Sequence, residues 1–196
     1  MKVTYSVAAS LDGFIAGPDG EIDWLDHAHL PEEDFGYGAF IETVDALIMG
    51  RSTWEFVADV RPWHYGSRPV RVFSHRPVDP RELPVKRVTG DPGQVVRALG
   101  EEGNRHVWVV GGGGLARGLL DSGDLTDLIL TVIPVTLGAG APLLGGAHPP
   151  NPLRSLSTPR WGKRLGKHHQ KPPRGSARGK AETHPHTRHT QGAAPG

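Results

Sequence analysis

The stretch that decides the fold is Val107-Trp108-Val109-Val110-Gly111-Gly112-Gly113-Gly114-Leu115, which continues as Ala116-Arg117-Gly118-Leu119-Leu120. A short apolar run bounded by glycine reads as a buried strand, and the spacing of Leu115, Leu119 and Leu120 reads as a helix. The unit is strand, glycine turn, helix. At such a junction bare backbone can approach a ligand closely. The first turn of the helix offers N–H donors and the positive end of its dipole to a phosphate. A tight turn with nothing bound satisfies the same residues, so the glycine cluster alone leaves structure and binding both open.

Two further junctions repeat this plan. Ala46-Leu47-Ile48-Met49-Gly50 reads as a buried strand running directly into a short helix opened by Arg51-Ser52-Thr53-Trp54-Glu55. Val70, Val72 and Phe73 make another strand, with Ser74-His75-Arg76 at its C-terminal end. Lys2 to Ala9 is the first strand, Leu83 to Val88 a short edge strand, and Leu125 to Val135 a later strand rich in β-branched residues. Val95 to Leu99 belongs to a helix that starts near Asp91-Pro92. Alternating strands and helices predict an α/β fold with a mostly parallel sheet, in which ligands bind beyond the C-terminal strand ends. Gly50-Arg51, Ser74-His75-Arg76 and Gly111 to Gly114 all stand at such ends, so three stretches can converge on one elongated ligand.

The connecting segments are less decisive. Ser10 to Gly20 carries two turn signals, Asp12-Gly13 and Pro18-Asp19-Gly20, for which a hairpin is the plain reading. Phe14 and Ile15 are more apolar than a hairpin turn requires. Pro31-Glu32-Glu33-Asp34 predicts a helix start, with Phe35, Phe40, Ile41 and Val44 on its buried face. Leu137 to Gly146 reads as a loop.

Composition divides the chain of 196 residues into an acidic body, 1–148, and a basic low-complexity tail, 149–196, and the formal net charge of +1 describes neither. The tail holds ten Lys and Arg against a single acid, Glu182. From Lys163 onward it has too few apolar residues to offset the entropy of ordering, so it is expected to be irregular. Trp161 is its only aromatic, which supplies little base stacking, and an unstructured extension is preferred over a nucleic-acid partner. No metal site is expected. The absence of cysteine excludes disulfides and thiolate chemistry. Lys2 leads straight into the first strand without a leader, and no apolar run approaches a membrane span, so a soluble cytoplasmic protein is expected.

Ala8-Ala9-Ser10-Leu11-Asp12-Gly13-Phe14-Ile15-Ala16, Met49 to Glu55 and Val109 to Gly113, in that order, resemble the signature stretches of the dihydrofolate-reductase-like family. Their wording is closest to the branch of the riboflavin-biosynthesis reductase domain and its stand-alone relatives, from Lys2 to about Gly146. The resemblance implies a three-layer fold around a central, mostly parallel sheet. Because the chain departs from the family past Pro149, the closing C-terminal strands are expected to be altered or missing. It also implies an NADPH-dependent reductase that passes hydride to a small heterocycle, in the manner of 5-amino-6-(5-phosphoribosylamino)uracil reductase. A broad-specificity pteridine or dihydrofolate reductase, or a non-catalytic cofactor-binding relative, are the alternatives.

Site roles follow from that resemblance. Arg51 and Arg76 resemble the cations that hold the cofactor 2′-phosphate, with Ser74 as an additional phosphate or ribose contact. Gly50 and Thr53, with the amides of their helix, would hold one side of the pyrophosphate. Gly111, Gly112, Gly113, Gly114 and Leu115 would hold the other. Ala9 and Ile15 would flank the nicotinamide with a dry wall. On the substrate side, Asp34 resembles the carboxylate that assists protonation, and Trp24 and Asp12 resemble substrate-binding positions. An acidic first helical turn explains Asp34 through the helix dipole alone, and a turn-forming Asp-Gly pair likewise explains Asp12. Relatives use the C-terminal region in subunit packing, which leaves a homodimer open here.

Overall fold

A computed structural model of the chain describes residues 1–28, 34–147, 150–157, 160–161 and 165–171. In chain order it contains β1 (Lys2–Ser10), β2 (Phe14–Ala16), a 3-10 turn (Asp23–Ala28), α1 (Tyr37–Glu42), β3 (Ala46–Gly50) and α2 (Arg51–Val57). Then come β4 (Val70–Phe73), β5 (Val85–Val88), α3 (Pro92–Glu101), β6 (His106–Gly111), α4 (Gly113–Ser122) and β7 (Asp127–Ile133). Short strands β8 (Ala141–Pro142), β9 (Arg154–Ser157) and β10 (Arg160–Trp161) precede β11 (Leu165–Lys171). The large sheet runs β10-β11-β7-β1-β6-β3-β4-β5, with β9 also paired to β11. The six strands from β7 to β5 are mutually parallel, while β11 is antiparallel to β7.

Helices cover both faces, which is why β3 and β6 read as unbroken apolar runs rather than alternating ones. Successive side chains of β3 go to opposite faces. Ile48 joins Val3, Tyr5, Val107 and Val109 against Val96 and Leu99 of α3 and Ala116 and Leu119 of α4. Leu47 and Met49 join Val70, Val72 and Trp108 against Trp54 and Ala58, with Phe40 and Ile41 packed alongside. Asp91 caps α3 by accepting from the Gln94 N–H at 2.8 Å, with Pro92 at the first helical position, as the sequence predicts. No described helix is long and apolar enough to cross a membrane.

Three expectations are corrected. The helix expected from Pro31 begins at Tyr37, after Phe35 and Gly36, both at positive φ. Residues 29–33, including Pro31, Glu32 and Glu33, lie outside the described residues. Asp34 precedes the helix and accepts from the Gly36 and Gly38 N–H groups at 2.7 and 2.9 Å. The hairpin reading of the first loop also fails, because β2 pairs with β8, a strand within the segment read as a loop.

The third correction concerns the C-terminal part. A boundary at 148 does not hold for the described residues beyond it: β11 pairs with β7 from Gly166 to Gln170, and β9 and β10 pair with β11. A closing antiparallel strand is therefore present, and Leu165–Lys171 is not irregular. The edge of β7 offers a row of backbone donors and acceptors that any extended segment can satisfy. Such pairing leaves no mark in hydrophobic periodicity. The expectation for 172–196 lies outside the described residues.

Candidate functional site

The ends of β3, β4 and β6 meet, as their positions in a parallel sheet require. In register, Gly50 lies beside Phe73 of β4, and Met49 lies beside Gly111 of β6. A Cβ on Gly111 would stand 2.7 Å from the Thr53 Oγ1, so β6 and α2 approach this closely only because residue 111 is glycine. Gly112 holds φ +101°, a conformation that favours glycine, and a Cβ there would stand 3.9 Å from the Gly50 backbone. The first turns of α2 and α4, side by side, both start at glycine without a side-chain cap. Beyond its own helix, no atom of the described residues lies within 4 Å of where a Cβ on Gly114 would sit. Leu115 turns the helix back to the core, packed against the cluster that contains Leu119.

Beyond β4 several contacts converge on Ser74. Ser74, buried, donates to the Arg76 carbonyl at 2.8 Å and accepts from the Arg76 N–H at 3.1 Å. The Arg51 guanidinium donates to the Ser74 Oγ at 3.3 Å and to the Pro77 carbonyl at 2.8 Å, and pairs with Glu55 at 2.7 Å. Arg87 of β5 donates to the Ser74 carbonyl at 3.3 Å. Sequence reasoning missed Arg87. The edge-strand reading placed it correctly, but the reach of its side chain to the end of β4 depends on strand order. The Arg51 and Arg87 guanidinium groups thus both reach Ser74, with Glu55 paired to Arg51, while Arg76 meets Ser74 through its backbone.

The remaining expected residues lie along the end of β1 and the loop after it. Ala9 is buried in β1, and Ile15 is half-buried in β2. Trp24 is 5% exposed and packs with Ile133, Ala8, Leu25, Phe35, Val135 and Leu137, and its indole N–H has no hydrogen-bond partner among the described residues. A buried donor without an acceptor is costly, so this N–H is suited to meet an acceptor on a ligand or a water. Asp12 accepts from the Ser10 hydroxyl at 2.6 Å and from the Gly138 N–H at 2.7 Å. The Ser10 hydroxyl first, and then the Gly138 N–H, hold its carboxyl down at about 2. Asp34 is exposed and engaged at the start of α1, next in sequence to Phe35 of the Trp24 cluster.

Together, a covered parallel sheet closed by an antiparallel strand and a glycine-lined junction beside arginines define the dihydrofolate-reductase-like class. The dihydrofolate reductase of Enterococcus faecalis, solved with NADP(H), shares this fold with a TM-score of 0.60 at 17% identity, over 87% of this chain and 96% of that one. Within that class, the chain belongs to the RibD C-terminal domain family, whose match runs over residues 1–165. It is similar to the uncharacterized Bacillus subtilis protein YwjB, 34% identical over 169 residues, 86% of this chain and 97% of that one. A solved protein of Shewanella sp. PV-4 assigned to riboflavin biosynthesis is 28% identical, with a TM-score of 0.79 over 89% of this chain and all of that one.

Proposed function

We propose that the protein is an NADPH-dependent oxidoreductase of the riboflavin-pathway type, acting on a small heterocycle of the ribosylaminopyrimidine class. The observation that carries this reading is the convergence of the Arg51 and Arg87 guanidinium groups on Ser74, which also binds the Arg76 backbone, next to the uncapped glycine junction at Gly111 to Gly114. These residues fit the cofactor's two anionic parts. The arginines and Ser74 suit a monoester phosphate through charge-assisted hydrogen bonds. The first turns of α2 and α4, with Gly50, Thr53 and Gly112, suit a pyrophosphate that needs backbone donors and no side chains in its way. When bound, the nicotinamide supplies hydride to a C=N or C=O bond of the substrate.

On the substrate side, Ala9, Ile15 and Trp24 form the apolar wall that excludes water from the reacting atoms, and the Trp24 N–H orients an acceptor. Asp34 is assigned the proton. Its support is its place beside Phe35 of the Trp24 cluster, and its two contacts at α1 hold the carboxylate in position. This reading carries a soluble, cytoplasmic enzyme, with a homodimer as the assembly to be checked by light scattering.

Fluorescence titration with NADPH and NADH, followed by turnover with a ribosylaminopyrimidine phosphate and with dihydrofolate, tests the proposal. Tight NADPH binding, weaker NADH binding and reduction of the pyrimidine are expected. Reduction of dihydrofolate alone would move the protein to the pteridine-reductase alternative. Equal affinity for both cofactors would remove the 2′-phosphate assignment.

A further inference from the structure

Asp12 holds backbone groups 125 residues away. Both its oxygens accept from the Leu137 N–H at 3.1 Å, one also from the Ser10 hydroxyl at 2.6 Å and the other from the Gly138 N–H at 2.7 Å. A carboxylate has about four acceptor positions, and here four contacts use them.

The same two loops are joined along their length. The Leu11 N–H donates to the Val135 carbonyl at 2.7 Å, and the Leu143 N–H to the Gly13 carbonyl at 2.8 Å. Phe14 pairs with Pro142 and Ala16 with Ala141, and Gly140 lies so close to the Ala16 carbonyl that a side chain has no room.

The far side of the second loop rests on the glycine junction. Gly113 packs directly against the Pro142 and Leu143 carbonyls, and Gly145 against the Gly114 backbone. The buried Tyr5 hydroxyl donates to the Leu143 carbonyl at 3.2 Å, anchoring that loop from below. Residues 141–145 therefore lie between the loop 11–17 and the first turn of α4.

We infer that Asp12 is a positioning residue that couples the two halves of the site, passing occupancy of the α4 first turn to the loop 11–17 without touching either ligand. This rests on the NADPH reading above. A ligand that immobilises the α4 turn also immobilises residues 141–145 packed on it. The Leu143–Gly13 bond and the β2–β8 pairing join that segment to the loop bearing Phe14 and Ile15, and the Asp12 clasp at 137–138 fixes the base of both loops so that they order together. Cofactor binding thus shapes the substrate side before the substrate arrives. In thermodynamic terms the clasp is a coupling free energy between two sites, and it is reciprocal.

Hydrogen–deuterium exchange of the full chain, with and without saturating NADPH, tests this in the unmodified protein, Asp12→Ala and Asp12→Asn. In the unmodified protein NADPH is expected to slow exchange over 111–115, 141–145 and 13–17. Asp12→Ala keeps the first two effects and reduces NADPH-induced protection over 13–17 by about fivefold or more, the lower end of typical coupling. Asp12→Asn restores part of it, since its amide oxygen can still accept from Gly138. Asn also serves as the test variant if the alanine form does not fold. NADPH-induced protection of 13–17 that is the same in all three proteins overturns the coupling and leaves the cofactor reading intact. Absence of NADPH protection at 111–115 in the unmodified protein overturns the cofactor reading, and the coupling falls with it.

Discussion

Gly111 and Thr53 are packed so that a single added methyl group at 111 would stand 2.7 Å from the Thr53 Oγ1 and 3.2 Å from its Cγ2. Strand β6 and helix α2 meet through this contact, which sets the spacing of the two uncapped helix starts. Gly111→Ala is expected to cost about 1 to 3 kcal/mol of stability through overpacking. The cost should shrink in a Thr53→Ala background, because the side chain that resists is gone. Urea unfolding of the two single variants and the double variant checks this, and strict additivity would show that the contact carries no strain.

Arg76 and Arg87 should together set the preference for a phosphorylated cofactor. Replacing both with Gln is expected to lower NADPH affinity about tenfold or more and to leave NADH affinity nearly unchanged, since charge-assisted bonds to the extra phosphate are what is lost. Competitive titration with the two cofactors reads this directly. A parallel loss for both would place these arginines outside the phosphate site.

Asp34→Asn separates the two roles of that carboxylate. Asparagine keeps only one of the two acceptor oxygens that meet the Gly36 and Gly38 N–H groups, so a loss of about 0.5 to 1.5 kcal/mol of stability is expected and is read separately by thermal unfolding. If Asp34 handles the proton, turnover should fall roughly 10²-fold while NADPH affinity holds. An unchanged rate would reduce Asp34 to a holder of the Gly36 and Gly38 N–H groups at the entry to α1.

His106 makes the stability pH-dependent at the opposite end of the sheet. Its Nε2 meets the Thr4 Oγ1 at 2.8 Å, and its Nδ1 faces the Thr43 carbonyl and hydroxyl, each at 3.0 Å. Burial, with the Lys2 charge adding to it, keeps the ring neutral and its pKa below the usual 6.5. The unfolded chain therefore takes up a proton near pH 6.5 that the folded chain resists. Stability is fully present above that pH and falls as the pH drops toward the folded value. Urea titrations between pH 8 and 5 should show this slope, and His106→Gln should flatten it. A slope that survives the substitution would assign it to other groups.

The strand ends at Gly50, Ser74 and Gly111 were legible in the sequence because each is a short apolar run broken by glycine or polar residues. A parallel sheet then dictates that such ends share one edge. The bounds of β3 and the cap of α3 were legible for similarly local reasons: four apolar residues and Gly50 before Arg51, and Asp91-Pro92 before an apolar face. The start of α1 was misread because an acidic run after proline is a good first turn in isolation. The chain instead passes through positive φ at Phe35 and Gly36, and Asp34 caps from outside.

What the sequence determined alone was what depends on neighbours along the chain: alternation, breaks, caps and the chemical character of each strand end. What only the tertiary structure decided was what depends on residues distant in sequence and close in space. Arg87 reaches Ser74 because β5 lies beside β4. Asp12 holds Leu137 and Gly138 because β1 and β7 are adjacent, so the loops that follow them leave the sheet together. Strand β11 is held to β7 by backbone pairing, which any extended sequence can supply. Hydrogen bonds of that kind carry no side-chain signature, and only the arrangement of the sheet determines where they form.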